Sequence, residues 1–392
     1  MKRATQILSA TSVAVSTVLV ACGGGGGSSG DSGFLRLALT DAPACGFDRV
    51  DVTVEKVRVH KSGSAGESDD GWSEVVLQPP KRVDLLSLTN GALAELGQTP
   101  LPAGKYNQMR FVLAPNDAAN PMANSVTPTG GDETAVSTPS GAQSGLKMNV
   151  SIEVEADKVA DFALDFDTCR SFIQLGNSRY VLKPVIAVIP RIADAARVTG
   201  QVALPLATTA TSVSLQLNGE PVRSTPPDST GKFVLSPVPV GTYDLVVTAP
   251  GRVIATITGV PVTATSSTTV NLATAPIDPP ASPMRSASGT IATGTSPIDA
   301  VAGVTKAYAG GPVVSVARGP VNGSTGAFSF ALPASAAVRT AFAASAPSLS
   351  FTADSTMPTG KYTLVGSAGA ASKSLGFDVT AGDFVAPAWT FP

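Results

Sequence analysis

The chain has 392 residues, enough for two or three domains, and only 14% of them are charged, against about 25% in typical soluble domains. A formal net charge of −2 and the absence of any lysine–arginine run exclude a nucleic-acid partner. The abundance of Val, Thr, Ser, Ala, Gly and Pro predicts strands and turns rather than helices.

Lys2 and Arg3 precede an apolar run from Ile7 to Val20. That run is shorter than the ~20 residues a spanning helix needs, and it fits an export signal closed by small residues. Leu19-Val20-Ala21-Cys22 resembles the lipobox of bacterial lipoproteins, whose cysteine is acylated and becomes the first mature residue. The resemblance implies a signal peptide over 1–21 and a multiply acylated Cys22, palmitate among its chains. One acyl chain holds a protein to a membrane marginally, and two or more hold it stably. Gly23 rather than Asp after the cysteine implies, by the same resemblance, sorting to the outer membrane of the cell envelope. An ordinary signal with a chance cysteine is the alternative. Residues 22–33 then read as a flexible Gly/Ser tether, in which eleven residues span on the order of 18 Å. Gly30-Asp31-Ser32-Gly33 mimics a serine-protease motif but has no positioned base.

Leu35, Leu37 and Leu39 alternate with polar or small residues, which predicts a half-buried strand. A second strand, Val50–Val59, changes phase between Val54 and Val57, so Glu55-Lys56 reads as a β-bulge. Strands are expected at Ser73–Leu77 and Val83–Leu86, and one short helix at Ala92–Leu96. Pro102-x-Gly104-x-Tyr106 is a turn that recurs at Pro239-x-Gly241-x-Tyr243 and Pro358-x-Gly360-x-Tyr362. In each, proline presets φ and glycine is expected at φ > 0. The repetition points to a row of related β-domains. Residues 115–145 form a long polar stretch with a small hairpin expected between Val126 and Val136. Strands are expected at Leu146–Val154 and Asp161–Asp167, the latter with Phe162, Leu164 and Phe166 inward and Asp161, Asp165 and Asp167 outward. Tyr180–Ile189 reads as one apolar strand at a sheet centre.

Leu39-Thr40-Asp41-Ala42-Pro43, Val83-Asp84-Leu85-Leu86, Pro102–Tyr106, Pro139–Lys147 and Leu164–Asp167 ending in Leu182–Ile186 together resemble a domain of unknown function found in many bacterial lipoproteins directly after the lipobox. It covers about residues 34–192 and implies a β-rich exported domain without assigned catalytic residues. Val198–Val202, Thr230–Phe233 and the second turn resemble the carboxypeptidase regulatory-like, transthyretin-like sandwich over 197–273, which implies a non-catalytic module. Residues 274–285 read as a stiff Pro-rich linker, and 286–392 as a divergent further sandwich with an extra stretch from Ala331 to Thr356. The expected fold is mainly β: tandem antiparallel β-sandwich domains behind a lipidated flexible tether.

If Cys22 carries lipid, Cys45 and Cys169 remain as a pair in an oxidising compartment. A bond closing that 124-residue loop contributes roughly 4–5 kcal/mol in the chain-entropy picture; two free buried thiols are the alternative. Asp41, Asp48, Asp165 and Asp167 lie near these cysteines in sequence, and clustered carboxylates suit Ca²⁺. Alternatively they cap turns or pair with Arg49 and Arg170. No other cofactor is implied. His60, the single histidine, is either the base of a Ser-His-Asp triad or a solvated strand-end residue. These features suggest a membrane-anchored protein that binds an envelope glycan or protein; a pure spacer is the runner-up, and a hydrolase using His60 or an acidic pair comes third.

Overall fold

The structure, a computed structural model, describes residues 32–41, 46–139, 141, 144–176, 178–191, 196–344, 348–354 and 359–392. The expected signal peptide, Cys22, residues 22–31 of the tether, and Cys45 lie outside the described residues. The last two tether residues already belong to the first strand. Gly33 packs so tightly on the carbonyls of Glu155 and Lys158 that no side chain would fit there.

The first domain stacks two sheets. Its strands are β1 (Ser32–Asp41), β2 (Phe47–His60), β3 (Ser73–Asp84), β4 (Ala94–Pro102), β5 (Gly104–Leu113), β6 (Ser125–Pro128), β7 (Thr134–Ser137), β8 (Leu146–Val154) and β9 (Val159–Phe166). A four-residue helix, α1 (Thr168–Ser171), leads to β10 (Phe172–Leu175), β11 (Arg179–Leu182) and β12 (Ile186–Pro190). One sheet runs β12-β9-β1-β4, with β1 parallel to β9; the other runs β10-β11-β7-β6-β2-β5-β8, with β3 also on β2. Leu35, Leu37 and Leu39 of β1 face Val50, Val52 and Val54 of β2 in one core, all of them fully buried. Each such side chain contributes about 1.5–3 kcal/mol on leaving water.

The expected bulge in β2 is present. The partner of Val54 on β5 is Leu113 and that of Lys56 is Val112, so Glu55 is the extra residue that returns Val57 and Val59 to the core. The hairpin between Val126 and Val136 is also present, as β6 and β7.

Three expectations fail. Ala92–Leu96 is not a helix: Ala94 and Glu95 pair with Leu39 and Ala38 as the start of β4. A five-residue helix cannot offset its nucleation cost, whereas the open edge of β1 offers immediate partners. Ser73–Leu77 and Val83–Asp84 form one strand, after which Leu85–Leu88 is a 3-10 turn capped by Asp84. Tyr180–Ile189 is two strands in different sheets, because Pro184 between them has no N–H for a ladder. The chain crosses there, tied by the Lys183 and Val185 amides to the Ser171 carbonyl and hydroxyl.

The second domain contains β13 (Val198–Gln201), β14 (Ser212–Leu217), β15 (Glu220–Thr225), β16 (Lys232–Leu235), β17 (Gly241–Thr248), β18 (Ala255–Val262) and β19 (Thr268–Thr269). The third contains β20 (Met284–Ala292), β21 (Val301–Ala307), β22 (Val313–Pro320), β23 (Ala327–Pro333), β24 (Val338–Ala341), β25 (Thr352–Ala353), β26 (Lys361–Ala368), β27 (Ala371–Asp378), β28 (Phe384–Val385) and β29 (Trp389–Thr390). Two of these strands leave their own domain: β24 runs parallel to β18 and, with β25, extends the second domain's sheet to β15-β14-β17-β18-β24-β25. Val338, Phe342, Leu349 and Phe351 join the second domain's core. The Pro-rich linker is packed rather than free, with Ile277 buried beside Val202 and Arg252 paired to Asp278.

In the repeated turns, Tyr106 and Tyr243 donate back to the carbonyls of Pro102 and Pro239, at 2.9 and 2.8 Å. Tyr362 reaches Pro333 instead, at 2.7 Å. Gly104 and Gly360 take positive φ as expected. Gly241 does not, and it is glycine for another reason: a Cβ there would press on the Tyr243 ring at 3.2 Å.

Candidate functional site at the three-domain junction

The acidic face of β9 is not left to solvent. Register pairs Thr40 of β1 with Asp165 of β9, so both present polar groups at one point. Arg223 of β15 is aimed there from the second domain, with a side chain fully shielded from water. Its Nη1 binds Asp165 Oδ1, and its Nη2 donates to Thr40 Oγ1 at 2.6 Å. Such a charge is tolerable in the interior only when paired.

Asp41, the next residue of β1, is completely buried and accepts from the backbone N–H and hydroxyl of Thr168, each at 3.3 Å. Burial pushes its carboxyl well above the usual range; Asp165 and Asp167 push the same way, and Arg223 offsets them in part. Asp167 caps α1 by accepting from Arg170 N at 3.1 Å. Burial is also its main perturbation, and its carboxyl is pushed up to about 6 despite the opposing pull of Arg170.

Three of the four candidate Ca²⁺ ligands, Asp41, Asp165 and Asp167, are therefore brought together, and the positive charge they meet is a guanidinium. Asp48 is exposed and caps the β6–β7 hairpin through Gly130 N. Among the described residues, no three His, Cys, Asp or Glu side chains are grouped to hold a metal. Arg49 pairs with Asp51 rather than with these carboxylates.

Asn90, at φ 56, docks the first domain a second time. Its backbone N–H donates to Thr225 Oγ1 at 2.8 Å, and its Oδ1 accepts from Val234 N at 2.9 Å. The third domain closes the ring. Gly323 N donates to Gln174 O, and the Gln216 amide grips both backbone groups of Ser315 at 2.8–2.9 Å.

Between these contacts lies a cleft of about 730 Å³ bounded by all three domains. Phe47 meets Phe172 and Tyr180 edge-on at 5.9 and 5.7 Å along one wall, and Phe328 and Phe330 lie on the third domain's side. Asp167, Arg170 and Gln174 line it from the first domain and Arg318 from the third. Cys169, on α1, borders the same space.

His60 stands apart. Ser62 N donates to its Nδ1 at 2.9 Å, and its Nε2 faces the Asp70 carbonyl at 3.0 Å. Both nitrogens thus staple a loop instead of meeting a nucleophile and a carboxylate. Sequence reasoning missed Arg223, Arg318 and Asn90; an arginine flanked by Val222 and Ser224 in a short strand was the one available hint.

Residues 32–184 match the family model described as a domain of unknown function (DUF4382), and residues 197–275 match that of the carboxypeptidase regulatory-like domain. No catalytic family is matched. No curated protein matches the sequence. Among solved structures, a cohesin–X-dockerin complex from Acetivibrio cellulolyticus is 22% identical, covering 22% of this chain and 58% of that one at a TM-score of 0.19. This chain thus spans little more than half of that chain's length. A streptococcal ancillary pilin is 12% identical over 90% of this chain and 98% of its own, at 0.16. The major pilin BcpA of Bacillus cereus is 11% identical over 92% and 99%, at 0.15. Scores this low carry no argument about fold or function. What the sequence itself carries is, in order, a DUF4382-type domain and a carboxypeptidase regulatory-like domain.

Proposed function

We propose that the protein is a lipid-anchored lipoprotein of the cell envelope, held to the outer membrane through Cys22, with a non-catalytic binding role toward a glycan or protein. The observation that carries the binding role is the cleft shared by three interlocked domains. A spacer needs only domains joined end to end, whereas here Arg223, Asn90 and Gln216 fix three walls around one cavity. The anchor rests on the lipobox resemblance. The Cys45–Cys169 disulfide belongs to the same proposal and rests on these two being the cysteines left once Cys22 is acylated.

One set of preparations tests it, with the wild-type chain beside Cys22→Ser. The wild type is expected in the membrane fraction with incorporated fatty-acid label, joined at Cys45–Cys169 in a non-reducing peptide map, and retaining a defined envelope glycan or protein. Cys22→Ser is expected in the soluble fraction without label. Unchanged fractionation of Cys22→Ser removes the anchor, two alkylatable thiols remove the disulfide, and a chain that retains no ligand is a spacer.

A further inference from the structure

We propose that the three-domain cleft is a saccharide site, and that the saccharide it takes carries a carboxylate held by Arg170. This rests on the binding role above and narrows it to one ligand chemistry. The cleft's volume falls within the ~300–1,000 Å³ of small-ligand sites, and its lining suits a sugar. Phe47 and Phe330, both half-buried on the cleft, offer aromatic surface for the apolar C–H face of a pyranose ring, with Phe172 and Tyr180 packed behind Phe47 in the core. Around these rings, the Gln174 amide and the Ser212, Ser224 and Thr248 hydroxyls make no side-chain hydrogen bond among the described residues. A ring of unspent hydroxyl and amide groups beside aromatic rings is what a polyhydroxylated ligand needs.

Arg170 supplies the charge preference. Most of the molecule's ion-paired arginines have a carboxylate at close range: Arg49 with Asp51, Arg191 with Glu95, Arg252 with Asp278. The other cleft arginine, Arg318, is engaged by Glu220 at 2.5 Å. Among the described residues Arg170 has only Asp167 as a carboxylate partner, at 3.8 Å. A planar guanidinium with open donors fits a carboxylate through two parallel hydrogen bonds.

The test is titration calorimetry of the full chain in detergent micelles, with tetragalacturonate as the acidic probe and maltotetraose as the neutral one. Saturable binding of the uronate, at least tenfold tighter than that of the neutral sugar, is expected. Arg170→Gln should weaken uronate binding at least tenfold and leave maltotetraose unaffected, with an unchanged melting temperature as the check on folding. Should that variant fold poorly, Gln174→Ala, at an exposed strand position, is expected to weaken both sugars. Equal affinity for the two probes, or uronate binding unaltered by Arg170→Gln, overturns the acidic class while leaving a neutral-glycan role standing. Absence of heat with both sugars overturns the saccharide site; the binding role itself then falls only if the chain also retains no protein ligand.

Discussion

Arg223 concentrates the energetic risk of the junction in one side chain. Its guanidinium is fully shielded and serves two groups of another domain, so removing it strands Asp165, with Asp41 already buried nearby. Arg223→Ala is expected to cost about 3–5 kcal/mol, the usual penalty for orphaning a buried charge, seen as a lowered urea midpoint. The double change Arg223→Met with Asp165→Leu should recover much of that loss, because the charge that needed a partner is gone. Asp167 works in the opposite sense. Its carboxyl is raised from the ordinary value to about 6, so the folded state holds a proton that the unfolded chain releases. Stability is therefore greatest below about pH 4 for this group and declines as pH rises to about 6. Asp167→Asn keeps the cap on α1 and removes the decline, a gain of at most about 2–3 kcal/mol at pH 7. The measurement is the difference in melting temperature between pH 4.5 and 7.5, which should be smaller for the variant. Lowered carboxyls such as Asp228 and Asp378 are present in both proteins and cancel in the comparison.

At the scale of elements, legibility followed locality. The bulge at Glu55 could be read because five valines change phase around it, and the hairpin at Gly130 because turn residues sit between apolar runs. The failed helix at Ala92–Leu96 had the cap and stop residues of a helix but the length of a strand start, and the neighbouring edge of β1 decided the outcome. The continuous apolar run Tyr180–Ile189 hid a sheet crossing behind one proline. β24 was beyond reach altogether: nothing in Val338–Ala341 says that its partner is β18 of another domain. That strand is joined through Val338 N to Ile254 O at 2.8 Å. Val338→Pro deletes this donor and is expected to destabilise the chain by about 3 kcal/mol. Hydrogen exchange should then show lost protection at Ala255–Thr258, while β21 and β26 keep theirs.

For the whole molecule, the sequence places the domains in order but says little of how they close on one another. Composition and alternation are local statistics, whereas Arg223 meets a partner 58 residues away and Gln216 one 99 away. Contacts at such separations leave no periodic trace. The carboxylates of the junction could be named because they cluster in sequence near the cysteines; the arginine that answers them could not. The cleft is likewise a product of assembly, since each domain supplies only part of its lining.

The strand exchange has a consequence in time as well as in space. β18 is finished about 80 residues before β24 is made. Whether the chain emerges from a ribosome or across a membrane, the second domain waits for those residues with an unpaired sheet edge and an uncovered core flank. It cannot mature in the N-to-C order in which it emerges. An open edge of this kind invites pairing with other chains, so a chaperone that shields extended segments would act on this protein during the interval between its second and third domains.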